Sequence, residues 1–254
     1  MNSAAIHKLR ERLRSLGDEQ PHFPYLVPMI VFGLFIGMEG VWEDGHPIWY
    51  LGRSVFAAFT LYLFWPCYTR IVWPRNLWHW LLAVAVGLFV LWMWVWVEKT
   101  IPTESWYGPI KERVLGWFGA SGKPSEPTPP YNPWEQLGSP FLVILFFIIR
   151  IGGSSLVVPI MEELFWRDFL MRAFVKGLDF KRVAIGTFTM LSFLGTAFAF
   201  TLVHFELLPA FLCGLIYAGL LYATRSIGAC IIAHGVTNFG LGLYVIIVKD
   251  WGFW

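Results

Sequence analysis

Charge is scarce in this sequence. Asp, Glu, Lys and Arg make up 14% of its 254 residues, where a soluble domain carries about a quarter. A net charge of only +2 lacks the basic surface that phosphate backbones demand, so no nucleic-acid partner is expected. Cysteine is scarcer still. Cys67, Cys213 and Cys230 all lie in apolar segments, show neither disulfide nor zinc spacing, and read as small buried hydrophobes. No HExxH motif is present, which removes the usual helix geometry of a zinc peptidase. There is also no internal repeat and no pair of interrupted helices in two halves, the pattern of many transporters. No small-residue cleavage site follows the first apolar run, so that run is expected to stay as a helix rather than be removed as a signal peptide.

What remains is apolar. Hydrophobic residues make up 57% and aromatics 19%, with fifteen tryptophans and a mean hydropathy of +0.58. Indole rings collect at the headgroup boundary, and the composition is that of a polytopic membrane protein. The expected fold is all-α, a transmembrane bundle of about seven or eight helices, each span needing about 20 apolar residues, around a polar catalytic cavity. Spans are predicted over 24–41, 48–66, 77–97, 140–160, 183–204, 207–223 and 227–248, with a helix over 161–176 attached to the fourth.

This divides the chain into a basic N-terminal segment (1–23), three transmembrane helices (24–97), a loop (98–139) and a membrane domain (140–250). The loop holds an amphipathic piece, Ile110, Val114, Leu115, Trp117 and Phe118, expected to lie on the interface. A proline-rich linker, GASGKPSEPTPPYNP, follows it.

Basic residues orient the drawing. Lys8, Arg10, Arg12, Arg14, Arg70, Arg75, Arg167, Arg172, Lys176, Lys181, Arg182 and Arg225 fall on one side and are most of the 19 Lys and Arg. The other side opens with the acidic turn WEDGHP. By the positive-inside rule the N-terminus is cytoplasmic and the 98–139 loop lies outside.

Against this background VVPIMEELFWRDFLMR, residues 157–172, is anomalous, because carboxylates at membrane depth are costly and usually face a cavity or a partner. Glu163 and Arg167 are four residues apart and can pair on one helix face. Glu162 is rotated away by about 100° and left unpaired. His234 and Asn238 are again four apart, projecting from one face of the last helix, and His204 ends FTLVH. A carboxylate, two imidazoles and an amide can activate water and stabilise an oxyanion. The same set, as Glu162, His204 and His234, could instead hold a divalent metal such as zinc. Trp166 reads as packing. Arg150, about 18 Å along the helix from Glu162, reads as snorkelling or paired elsewhere, and His7, His22, His46 and His79 read as interface residues. In a simple drawing of seven spans Glu162 and His204 fall at opposite ends, so the fourth span must bend or restart near Gly152, Gly153 and Pro159.

EELFWR resembles the EExxxR motif of the membrane-embedded CAAX prenyl protease and bacteriocin-processing (abortive-infection) family. FTLVH resembles its FxxxH motif and HGVTN its HxxxN motif, in the family's order, across about residues 140–248. The resemblance implies an intramembrane endopeptidase of the bacterial cytoplasmic membrane acting on a membrane-associated or lipid-modified protein. It implies that Glu162 activates water with His204, that His234 and Asn238 hold the oxyanion, and that Glu163 and Arg167 support Glu162. Members are often called metalloproteases, though a metal-free glutamate mechanism also fits. The Trp of EELFWR and the terminal WGFW resemble a bacterial exosortase-associated branch. A non-catalytic scaffold or immunity-type protein of the same fold is the alternative, with a transporter behind it.

Overall fold

A computed structural model describes residues 3–41, 46–102, 130–204 and 206–253, and every regular element among them is helical. The helices are α1 (Ser3–Glu19), α2 (Phe23–Val41), α3 (His46–Phe64), α4 (Leu77–Thr100), α5 (Pro133–Gln136) and α6 (Pro140–Gly152). They continue with α7 (Val158–Glu163), α8 (Met171–Lys176), α9 (Met190–Thr201), α10 (Leu207–Thr224) and α11 (Ile227–Val248). The interfacial piece, most of the proline-rich linker and most of the WEDGHP turn lie outside the described residues.

Local chemistry sets the ends. At the starts of α4, α9 and α11 the side-chain oxygens of Asn76, Thr189 and Ser226 accept from the backbone N–H groups of His79, Ser192 and Ala229, satisfying donors that a helix start leaves over. Arg225 and Lys249 close α10 and α11 in the left-handed conformation.

Among the described residues, four helical stretches are long and apolar enough to cross a membrane: α4, α10, α11 and the 43-residue run Pro140–Arg182. A fifth is obtained if α1 and α2, bent by 112°, count as one broken span. This is fewer than the seven spans expected. The basic segment before residue 23 is itself helical. The span predicted over 183–204 shrinks to the 12 residues of α9, because residues 183–189 are not helical and Gly186 takes a positive φ of 76°. Twelve residues rise about 18 Å, well short of the about 30 Å of hydrocarbon.

The core gathers α4, α10 and α11 around the 140–176 run. Gly87 makes the close crossing of α4 and α11 possible: a Cβ there would sit 2.5 Å from the Ala233 carbonyl oxygen. Small residues at such a crossing are the usual device for packing helices in lipid. Thr237 tightens it by donating to Gly87 O at 2.8 Å while its oxygen lies 2.7 Å from Tyr217 OH.

One end of the bundle is tied by polar contacts between loops. Ser226 Oγ and Gly228 N–H both donate to Val72 O, Lys181 donates to Cys67 O and Arg172 to Val183 O. Beneath them Asp168 and Arg172 form a buried ion pair, and Tyr25 OH donates to Asp168 at 2.9 Å.

Candidate active site

The two glutamates sit on α7, a helix of six residues between two wider π-helical turns, Gly153–Val157 and Leu164–Leu170. The expected bend or restart is therefore a change of helical winding within one continuous run. Its cause is legible locally. In the first π turn the Val158 N–H reaches back to Gly153 O. The next residue in that register is Pro159, which has no N–H to give. The carbonyl left over, Ser154 O, accepts instead from Asn238 Nδ2 at 2.8 Å. The proline before the glutamates thus creates the acceptor that fixes the amide of α11. Insertions of this kind are frequent at functional sites.

Glu162, His204, His234 and Asn238 all line one cavity of about 200 Å³, with Phe200 and Tyr217. The shortness of α9 is what allows this: His204 follows its last turn instead of lying at the far end of a full span. His204 Nδ1 lies 2.7 Å from Phe200 O, so that nitrogen donates and Nε2 is the acceptor. Trp94 and Phe200 flank the ring, at 6.0 and 4.2 Å between centroids. His234 Nδ1 lies 2.9 Å from Glu163 Oε1, which leaves its Nε2 as the remaining ring nitrogen. The second N–H of the Asn238 amide is not engaged by Ser154.

Glu163 and Arg167 stand behind the cavity rather than in its lining. Their side chains are fully buried and joined by one hydrogen bond of 3.1 Å between Arg167 Nη1 and Glu163 Oε1. The Arg167 guanidinium also lies over the rings of Phe200 and Tyr217, at 5.0 and 5.4 Å. Glu163 Oε1 therefore serves two partners, a guanidinium on its own helix and an imidazole on α11. Glu162, 9% exposed, accepts instead from Trp166 Nε1 at 3.3 Å.

Three partners escaped the sequence reading. Trp166 looked like packing; its indole donor gave no signal because position i+4 from Glu162 lies within an otherwise apolar stripe. The Glu163–His234 contact joins positions 71 apart, which no local spacing encodes. Tyr217 carried no motif at all.

Glu162, His204 and His234 are also the expected metal ligands. Among the described residues no group of three or more His, Cys, Asp and Glu side chains converges as a metal-binding set. His204 Nδ1 and His234 Nδ1 already face Phe200 O and Glu163. Outer contacts of that kind are also those that metal-bound imidazoles make, and Nε2 of each ring and the Glu162 carboxylate are left for the cavity.

Residues 141–240 match the family described as Rce1-like, type II CAAX prenyl endopeptidase. No curated protein and no solved structure matches the chain. The matched segment contains all three motifs and stops before the terminal WGFW.

Proposed function

We propose that this integral membrane protein, whose residues 141–240 match the Rce1-like type II CAAX prenyl endopeptidase family, is a peptidase that hydrolyses a peptide bond of a membrane-associated or lipid-modified protein with Glu162 as general base. The observation that supports this is the single cavity shared by Glu162, His204, His234 and Asn238, residues that come from α7, the turn after α9 and α11.

In this reading Glu162 takes a proton from a water that His204 Nε2 orients by accepting its other hydrogen. The oxygen attacks the scissile carbonyl carbon. The oxyanion accepts from the Asn238 amide and from His234 Nε2–H. Glu163 keeps the imidazole oriented through Nδ1, so that Nε2 stays aimed where negative charge develops. Collapse of the intermediate breaks the C–N bond, and Glu162 returns its proton to the leaving amine. Trp166 holds one Glu162 oxygen, which leaves the other to face water. The same proposal places the protein in a bacterial cytoplasmic membrane with its N-terminus inside.

The test uses the full chain in lipid nanodiscs with a lipid-anchored peptide, and mass spectrometry to find the cut. Asn238→Ala and His234→Ala should each reduce kcat by about 100- to 1,000-fold, as loss of an oxyanion donor does elsewhere. Near-wild-type turnover in both variants would remove them from the mechanism.

A further inference from the structure

Beyond the segment that matches the family, the chain folds back on the bundle after α11. Trp251 stacks on Phe147 at 6.2 Å between centroids, and Phe253 meets Tyr244 edge-on at 5.6 Å. This return brings Asp250 to Lys99, in the last turn of α4. The two form an ion pair, and the Phe253 ring lies 5.6 Å from the ammonium. Their side chains stay 51% and 26% exposed, so a ligand can reach both charges.

A groove of about 390 Å³ runs away from this pair between α4 and α11. Leu91, Trp92, Val95 and Trp96 of α4 and Tyr244 of α11 wall it, with Lys99 at its rim. The Thr100 hydroxyl in the same lining donates to Trp96 O at 2.6 Å and is engaged within α4. From Leu91 to Lys99 the helix rises about 12 Å. The groove is therefore an apolar trough about two turns long, charged at one end only. Trp92 and Trp96 stack at 5.9 Å and stiffen the open side.

We propose that this groove binds phosphatidylethanolamine, with an acyl chain along the trough and the headgroup over Lys99 and Asp250. Charge selects the headgroup. The rim sets one cation beside one anion, the complement of a headgroup that carries one phosphate and one ammonium. Lys99 donates to the phosphate, and Asp250 accepts from the ammonium. Phosphatidylglycerol would satisfy the lysine alone and bring its anion against Asp250. Phosphatidylcholine has no N–H for the carboxylate. Opening the ion pair to admit the headgroup loses little, because exposed pairs contribute little to stability. The terminal aromatic turn thereby gains a role, since it packs beside Asp250 and borders the headgroup.

Native mass spectrometry of the full chain, released from detergent micelles, measures the apparent Kd of four dioleoyl lipids. They are phosphatidylethanolamine, phosphatidylcholine, phosphatidylglycerol and dioleoylglycerol, which has the same chains without a headgroup. Phosphatidylethanolamine should bind at least about threefold more tightly than each of the others, the scale of an exposed ion pair. Asp250→Asn should bring it within about 1.5-fold of phosphatidylcholine, the scale left without that pair. Lys99→Gln should weaken all three phospholipids and leave dioleoylglycerol unchanged. Val95→Trp fills the trough and should weaken all four. Equal binding of phosphatidylethanolamine and phosphatidylcholine by the wild type overturns the proposal, as does an ethanolamine preference that survives Asp250→Asn. Tighter binding of phosphatidylglycerol overturns it in favour of a simple anion site at Lys99. Dioleoylglycerol bound as tightly as phosphatidylethanolamine overturns it in favour of a groove that reads chains alone.

Discussion

At the scale of residues, two adjacent glutamates have separate surroundings. Glu163 is fully buried between Arg167 and His234, whereas Glu162 lines the cavity and touches Trp166. Arg167→Ala would leave a carboxylate buried without its cation, and breaking a buried pair from one side costs about 3–5 kcal/mol. A large fall in thermal stability in detergent is expected, and the double change Glu163→Gln with Arg167→Met should recover part of it. An Arg167→Ala protein as stable as the wild type would show that the pair is not structural. Trp166→Phe keeps a ring against Phe165 and Phe200, at 4.6 and 5.5 Å between centroids, but removes the N–H. Stability should hold while kcat falls by about tenfold, the scale of one hydrogen bond to a charged group. Unchanged kinetics would return Trp166 to the packing role its sequence suggests. The i,i+4 spacing made the Glu163–Arg167 pair readable. The reach of Glu163 to α11 was not, because it depends on how two distant helices pack.

At the scale of elements, the winding of the 140–176 run decides where the site groups point. The sequence marked Gly152, Gly153 and Pro159 as irregular, and the irregularity is there, as π turns and not as a break. What spacing alone did not supply was the consequence: a carbonyl released at Ser154 and captured by Asn238. Pro159→Ala restores a backbone N–H that competes for that carbonyl. The protein should fold, and its thermal stability should match or exceed that of the wild type. Turnover should fall because the amide of Asn238 is no longer held. Full activity in Pro159→Ala would show that the Ser154 anchor is unimportant. The span expected over 183–204 was too long because hydropathy continues through residues 183–189, where Gly186 and its positive φ end the helical backbone. That error had produced the apparent separation of Glu162 from His204.

At the scale of the whole molecule, the all-α bundle was legible from composition and from runs of apolar residues, while the number of complete spans was not. The loops tied together near Cys67, Val72, Val183 and Ser226 carry Arg70, Arg75, Lys181, Arg182 and Arg225. Five of the twelve basic residues that the sequence assigns to one side therefore meet at one end of the fold. Single cysteines at positions 70 and 182, in a background without Cys67, Cys213 and Cys230, should react with an impermeant thiol reagent only from the cytoplasmic side. Labelling from the outside would reverse the orientation. The central claim, that Glu162 is the base and Glu163 its neighbour's support, meets its most direct test in one rate. Glu162→Gln keeps the shape of the side chain and its contact with Trp166 but removes the proton acceptor. The account predicts a folded, normally accumulating protein whose kcat on a lipid-anchored peptide is lower by about 100- to 10,000-fold. A Glu162→Gln protein that cleaves at the wild-type rate would contradict it.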